Sequence, residues 1–279
     1  MVFGEDKIVF EYGAEASTPL TQVFPDTYQL DTRINEGRIA KVSSPKISGN
    51  YVIQSYHPPP PKDYDHKYST WGIRGKDLLI LEGYSSVKIK FSALSLEPNP
   101  DWGPNLCDWQ IRWGPATGDK LYRWLIGSRF TVHPTTKRIS ATLDAGRLPD
   151  GIWFNEAHSN AFSTGNYQSW NSPFTVFDLG GDTIRLMSYW KFDGVNSKLK
   201  AWANDQLIMD ITSNLDPRSY PEWNNNPVTG GACAFWNGGP YPNVSWGLYQ
   251  GELSFENLAW YDDLVIATEY IPSSYEVTG

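Results

Sequence analysis

Two adjacent aspartates near the end of the sequence need a chemical explanation more than any other residues. Asp262 and Asp263 interrupt the alternating run LAWYDDLVI at 258–266. Side chains alternate across a β-strand, so the even-numbered residues are predicted to share one face, and Asp263 to point the other way. These residues are Leu258, Trp260, Asp262, Leu264 and Ile266. A carboxylate among large apolar side chains must be hydrogen-bonded, ion-paired or bound to a metal.

A second group of residues with chemical potential lies in the segment 153–170. It combines Trp153, Asn155, His158, Tyr167 and Trp170 within a short stretch. A histidine or tyrosine can transfer a proton, an amide can bind an oxyanion, and exposed indole rings can stack on a sugar. This segment is our candidate for a binding cleft, although a lone histidine in a loop is more often an ordinary polar surface residue.

Cationic and amide side chains in the middle of the sequence could face this segment. Gln110 and Arg112 are two residues apart in an extended run and are predicted to share a strand face. Arg123 lies between Tyr122 and Trp124, and Arg129 follows shortly after.

Other familiar catalytic arrangements are missing from the sequence. There is no GxSxG nucleophile elbow and no glycine-rich phosphate loop. A glycoside hydrolase needs two opposed carboxylates, and no spacing pairs the available candidates. These candidates are Glu156, Glu222, Glu252 and Glu256.

Composition limits the classes of partner. The chain of 279 residues carries 31 acidic and 23 basic residues, for a net charge of −8, and has no basic cluster. Nucleic acid is therefore not an expected partner. No apolar run is long enough to cross a bilayer, and the sequence opens without the basic and apolar segments of a leader peptide. The 13 Trp and 16 Tyr suffice for a core and leave aromatic rings for a binding surface.

Short β-rich runs separated by Gly, Pro, Asn and Asp clusters predict one all-β domain over 1–279, a two-sheet sandwich or jelly roll. Explicit turns are expected at Asp193-Gly194, Asn204-Asp205 and Gly180-Gly181. The polar, aromatic segment 214–231, with Tyr220 and Trp223, is expected to form a long loop. The predicted strands are 7–11, 51–56, 86–94, 108–113, 122–126, 138–143, 175–177, 183–192, 198–202, 206–211, 232–236 and 258–267, with a further aromatic-rich strand from 243.

The segment 189–211, YWKFDGVNSKLKAWANDQLIMDI, followed later by YDDLVIAT, resembles the concanavalin-like jelly rolls of polysaccharide lyases. Similar proteins include glucuronan and alginate lyases and related secreted jelly-roll proteins of fungi. The resemblance extends from about Asp182 to Tyr270. It implies an antiparallel β-jelly roll whose concave face holds a polysaccharide, and it supports the fold better than the activity.

The resemblance also implies a structural calcium ion. Such jelly rolls hold calcium with a glutamate near the start of the chain, a polar turn, and the first aspartate of a C-terminal pair. The corresponding residues here are Glu11, Ser48, Asn50 and Asp262. Carboxylate, amide and backbone oxygens suit this hard cation, and Ser48 would contribute a backbone oxygen. The alternative is that Glu11 and Asp262 are ordinary carboxylates at strand ends.

The function implied by the resemblance is β-elimination on a uronate-containing glycan. Arg123, assisted by Gln110 or Asn155, would hold the substrate carboxylate, and His158 or Tyr167 would transfer the proton. Trp153 and Trp170 would be sugar platforms, and Arg112, Arg129, Tyr220 and Trp223 further binding residues. The expected protein is a secreted monomer whose leader is absent from this chain. A non-catalytic carbohydrate-binding jelly roll and a glycoside hydrolase are the alternatives.

Overall fold

A computed structural model describes residues 7–25, 27, 30–57, 68–74, 82–92, 105–113, 124–133, 136–145, 169–175, 179, 181–191, 197–213, 241–249 and 257–277. Two short helices, α1 (Leu20–Val23) and α2 (Leu30–Asn35), accompany the strands. The strands are β1 (Ile8–Tyr12), β2 (Ile39–Val42), β3 (Val52–His57), β4 (Tyr68–Arg74), β5 (Glu82–Phe91), β6 (Asn105–Trp113), β7 (Trp124–Val132), β8 (Arg138–Ala145), β9 (Ser169–Thr175), β10 (Thr183–Lys191), β11 (Ser197–Ala203), β12 (Gln206–Ser213), β13 (Tyr241–Tyr249) and β14 (Asn257–Ala267).

The strands form two antiparallel sheets. Sheet A has the order β12-β11-β10-β5-β14-β3-β2, and β1 also pairs with β14. Sheet B has the order β4-β13-β6-β7-β8-β9. Strands distant in sequence are neighbours in both sheets, as in β5-β14 and β13-β6. The predicted all-β jelly roll, a two-sheet sandwich, is confirmed.

The core lies between the inner faces of the two sheets. Sheet A contributes alternate residues such as Ile184 and Leu186 of β10, and sheet B contributes Trp246 and Phe130. Trp71 and Tyr261 meet edge to face at 5.1 Å between centroids, at the contact of β4 with β14. Alternation with a period of two therefore decides which residues are inside, as the sequence predicts for most strands.

In β14 the simple alternation is wrong. Ala259 and Tyr261 face the core in the first half of the strand, whereas Leu264 and Ile266 face it in the second half. A β-bulge between Asp262 and Val265 inserts an extra residue against β5. Asp263 takes φ of +49° there. A bulge shifts the side-chain phase by one residue, so a strict even-numbered face does not exist.

Other elements depart from the sequence-based prediction in detail. Strands β2 and β4 were not predicted, and β9 ends at Thr175 where a strand was expected to begin. Pro173 is accommodated because β9 is the edge of sheet B. The predicted turn at Asn204-Asp205 is confirmed: both residues have positive φ, 45° and 62°, as a tight type I′ hairpin requires.

The chain ends by packing against the outer face of sheet A. Ile271 is buried with Met187, Val265 and Ala267 in a second apolar cluster, and Tyr275 and Val277 extend it. This cover explains why β10 is buried on both faces along most of its length. Neither helix in the described part of the chain approaches the length or apolar character needed to cross a membrane.

Candidate functional site

Asp262 is buried at the bulge of β14 and is held by backbone donors. The residue is only 2% exposed to solvent. Oδ1 accepts hydrogen bonds from the amides of Ala14 at 3.1 Å and Asp263 at 3.0 Å. Oδ2 accepts one from the amide of Ser48 at 3.1 Å. The carboxylate thus joins the segment after β1, the loop before β3 and its own strand, and the need for bonded partners predicted from the sequence is met.

The pKa of Asp262 is raised from its ordinary value of 3.8 to about 6. Burial is the main cause, because it disfavours the charged form, and the neighbouring Asp263 carboxylate adds to it. The three backbone N–H donors work in the opposite direction by stabilising the ionised form. Burial has a larger effect on the pKa of Asp262 than the backbone donors have.

Asp263 faces the same junction, which corrects the expectation that it points away. Its Oδ2 lies 2.6 Å from Nζ of Lys88 and accepts a hydrogen bond from the Ser48 hydroxyl at 2.8 Å. Lys88 also donates to Ser48 Oγ at 3.2 Å. The bulge allows this arrangement, because Asp262 alone stands opposite Lys88 in the register. We call this set, Ser48, Lys88, Asp262 and Asp263, the aspartate junction.

The residues predicted to bind calcium are brought together only in part. Ser48 and Asp262 are in direct contact, as described above. Asn50 lies in the same loop, but its side-chain oxygen accepts a hydrogen bond from Lys46 Nζ at 3.2 Å, and its amide donates to Glu15. Glu11 stands opposite Val265, and its carboxylate accepts the hydroxyl of Tyr275.

The donor chemistry of these residues fits calcium, since every candidate ligand atom is an oxygen. Among the described residues, however, no three His, Cys, Asp or Glu side chains form a group that could hold a metal. The cation at the junction in this structure is the ammonium of Lys88. The calcium set therefore stays a prediction.

The outer face of sheet B carries the described part of the candidate cleft. Trp246, Phe130 and Ala141 lie in one cross-strand row that faces the core, and all three are buried. Successive residues of a strand belong to opposite faces, so the neighbouring rows lie on the outer face. One such row runs Ser245, Asp108, Arg129, Thr142 and Ser169.

A second outer row contains Asn243, Gln110, Gly127 and Asp144. Arg112 belongs to a third, opposite Tyr241 and Leu125. Gln110 and Arg112 thus occupy alternate positions of β6 as predicted, and the half-buried Arg129 stands one row away from Gln110. Gly127 leaves a position without a side chain in the middle of its row, a feature often found where a ligand approaches the backbone closely.

The remaining predicted residues are only partly located. Trp170 lies in β9 opposite Ala141, in the row that faces the core rather than in an outer row. Outside the described residues lie Arg123, Trp153, Asn155, His158, Tyr167, Tyr220 and Trp223. The catalytic assignments among them stay predictions.

Sequence reasoning missed two cations of the junction region and one acid that is paired with Arg129 in the register. Lys88 and Arg185 stand opposite each other on β5 and β10. Each occupies an outward position between buried apolar residues, such as Val87 and Ile89 around Lys88. That pattern was visible in the sequence. Asp108 is the cross-strand neighbour of Arg129, which only the register reveals.

The fold is similar to those of several solved structures. A glucuronan lyase from the fungus Trichoderma reesei matches with a TM-score of 0.50 at 12% identity, over 83% of this chain and 87% of that chain. An alginate lyase from a Chlorella virus matches with a TM-score of 0.46 at 9% identity, over 82% and 88% of the two chains. Cip1, a cellulose-induced protein, matches with a TM-score of 0.43 at 15% identity, over 84% and 86%.

This chain has a jelly-roll fold like that of the glucuronan lyase. Neither the models of known protein families nor the sequences of curated proteins match it. At these identities the likeness concerns the fold, so any activity must be argued from the residues of this chain.

Proposed function

We propose that the protein is a monomeric extracellular polysaccharide lyase that cleaves a uronate-containing glycan on the outer face of sheet B. The observation that carries the proposal is the likeness to the glucuronan lyase structure over most of both chains. The cross-strand rows with Arg129, Gln110 and Asp108 support it, because the register places cationic and polar residues in neighbouring rows of one sheet face.

The proposed chemistry is β-elimination. A base removes the proton from C5 of the uronate, the electron pair forms the C4–C5 double bond, and the C4–oxygen bond breaks. The leaving oxygen takes a proton from an acid. Negative charge grows on the uronate carboxylate as C5 is deprotonated, so a cation beside that carboxylate stabilises the transition state.

Three groups of residues carry out carboxylate neutralisation, proton transfer and binding of the glycan chain in the proposed mechanism. Arg123, assisted by Gln110 or Asn155, neutralises the uronate carboxylate, while His158 or Tyr167 transfers the proton. Further contacts to the chain come from Arg112 and Arg129 on β6 and β7. The gap at Gly127 lets a sugar ring approach the sheet between Gln110 and Asp144. Trp153, Tyr220 and Trp223 are the proposed sugar platforms.

The test is the absorbance of unsaturated uronate products, screened over alginate, glucuronan, heparinoids and pectates. On a substrate that the parent protein cleaves, Arg123→Ala should raise KM and lower kcat. His158→Ala should lower kcat by about a hundredfold, the usual scale for removal of a general base. Both variants should keep the melting temperature of the parent.

His133→Ala is the matched control for the histidine. His133 lies just beyond the end of β7, where its Nδ1 accepts a hydrogen bond from the amide of Thr136 at 3.2 Å. Full activity of the Arg123→Ala and His158→Ala variants would show that the active site lies elsewhere in the protein. Reducing ends without the new absorbance would indicate a hydrolase, and binding without any product a carbohydrate-binding module.

A further inference from the structure

The outer face of sheet A carries an aromatic patch of one exposed ring and two half-buried rings, on the opposite side of the sandwich from the proposed cleft. The patch consists of Tyr84, Trp202 and Tyr270, with the buried Tyr189 beside Tyr84. Tyr270 is 45% exposed, and so is Leu207, the cross-strand partner of Trp202. Exposed large apolar side chains that gather at one place mark an interaction surface.

The rings of the patch form a corner. Tyr84 and Trp202 are inclined by only 34° to each other, with centroids 6.5 Å apart. Tyr270 stands nearly perpendicular to both, at 83° to Tyr84 and 81° to Trp202. The first two rings therefore make a floor and Tyr270 makes a wall, so a flat ligand can lie on the floor with one edge against the wall.

Tyr270 is held in this position by its neighbours. The carbonyl of Ile271 accepts a hydrogen bond from the buried Arg185, and the Ile271 side chain is 1% exposed in the second apolar cluster. On the other side, the amide of Thr268 donates to the carbonyl of Lys7 at 2.9 Å. The backbone is therefore anchored on both sides of Tyr270, and the ring itself contacts Tyr84 and Trp202. A ring held in this way is preorganised, so a ligand that stacks on it loses little additional freedom.

Two ion pairs of charged side chains lie beside the rings. Glu82 accepts the Tyr189 hydroxyl at 2.7 Å and pairs with Lys191 at 3.1 Å. Lys200 pairs with Asp210 at 2.8 Å on the neighbouring strands. These pairs are partly exposed, and they offer both donors and acceptors beside the aromatic floor.

A pyranose ring has the complementary chemistry, with apolar C–H faces and hydroxyl groups around its edge. From the corner of rings and its polar rim, we infer that this face is a second carbohydrate-binding site that takes a pyranose unit of a polysaccharide chain. It holds the protein on its polysaccharide independently of any reaction on sheet B. The inference does not depend on the proposed lyase activity.

The scale of the patch favours a sugar over a protein partner. A standard protein interface contributes about 20–30 residues from each side. This patch offers three rings, one exposed leucine and two ion pairs, which matches one or two sugar units.

The test measures retention of the full-length protein on microcrystalline cellulose, insoluble β-1,3-glucan and calcium-alginate beads in the cold. The parent should bind at least one of these, and Tyr270→Ala and Trp202→Ala should each weaken that binding about tenfold. Tyr270→Phe should bind like the parent, because the ring and its position are kept. Release of unsaturated uronates from soluble oligosaccharides, if the parent has that activity, should not change in Tyr270→Ala.

Tyr51→Ala is the matched control, because Tyr51 is an equally exposed tyrosine, at 43%, in the loop before β3. It should bind like the parent. The inference is overturned if the parent binds none of the three materials, if Tyr270→Ala binds them unchanged, or if Tyr51→Ala loses as much. It is also overturned if sedimentation shows a dimer of the parent that Tyr270→Ala dissociates, since the patch would then be a contact between two copies.

Discussion

Two buried charges on the outer face of sheet A are stabilised in opposite ways. Asp262, Lys88 and Arg185 lie in one cross-strand row, on β14, β5 and β10. At the aspartate junction, the Asp262 carboxylate accepts hydrogen bonds from three backbone amides, which belong to three separate segments. Arg185 instead donates to the Ser86 hydroxyl at 3.0 Å, to the Asp205 carboxylate and to the carbonyl of Ile271.

The two charges also fix different parts of the chain. Asp262 ties the loop before β3 and the end of β1 to the last strand, whereas Arg185 ties the β11–β12 turn and the C-terminal segment to β10. A cavity of about 300 Å³ adjoins Arg185, and Lys88 and Asp205 also line it. A carboxylate can titrate near neutral pH and a guanidinium cannot. The two sites should therefore respond differently to substitution, to metal and to pH.

The largest effect is expected from Arg185→Ala. This change removes a buried cation and leaves the Ile271 carbonyl and the Asp205 carboxylate without their donor. We expect a loss of about 3 kcal/mol in the free energy of unfolding, measured by urea denaturation, as is usual when one partner of a buried charge network is lost.

Lys200→Ala is the control for that experiment. Lys200 and Asp210 form an exposed ion pair on the same face, and its removal should cost less than about 1 kcal/mol. If Arg185→Ala were as stable as Lys200→Ala, the guanidinium would not fasten the C-terminal segment.

Asp262→Ala should have the next largest effect. It leaves the amides of Ala14, Ser48 and Asp263 without an acceptor, and we expect a loss of about 2–3 kcal/mol in urea denaturation.

Asp263→Ala should also destabilise the protein, by about 1–2 kcal/mol, because Lys88 then lacks its carboxylate. An Asp263→Ala variant as stable as the parent would restore the view that only Asp262 faces the junction.

Local patterns in the sequence predicted the sandwich well and the sites unevenly. Alternating runs such as 183–192 and the Asn204-Asp205 pair carry their own structural signal, since period and turn chemistry are local properties. The bulge at Asp262 was not predictable from alternation, because the extra residue is defined by the register against β5. The partnership of Arg185 with Ile271 likewise joins residues 86 positions apart. Such contacts depend on which strands become neighbours, and composition does not specify that.

Calcium distinguishes the two charged sites further. If Glu11, Ser48, Asn50 and Asp262 bind one calcium ion, EDTA should lower the melting temperature and added calcium should restore it, since a ligand specific to the folded state stabilises it by mass action. At a calcium concentration a hundred times the Kd, this stabilisation is about 2.7 kcal/mol. Arg185→Ala should keep this response and Asp262→Ala should lose it. An unchanged melting temperature, with no metal in elemental analysis, would leave the Lys88 ammonium as the cation of the junction.

The last comparison of the two charged sites concerns pH and applies to the protein in EDTA. Because the pKa of Asp262 is raised from 3.8 to about 6, the folded state binds a proton more tightly than the unfolded state. The contribution of this group to stability is therefore fully present below about pH 4 and is lost as the pH rises through 6. The slope can reach about 1.2 kcal/mol per pH unit between these values. Asp262→Asn, which cannot ionise, should show a flatter profile than the parent when both are unfolded by urea from pH 4 to pH 7. Arg185→Lys should keep the parent's slope, because it leaves the Asp262 carboxylate and its three backbone donors in place. Parallel profiles for Asp262→Asn and the parent would mean that the backbone amides outweigh burial and keep the carboxylate ionised.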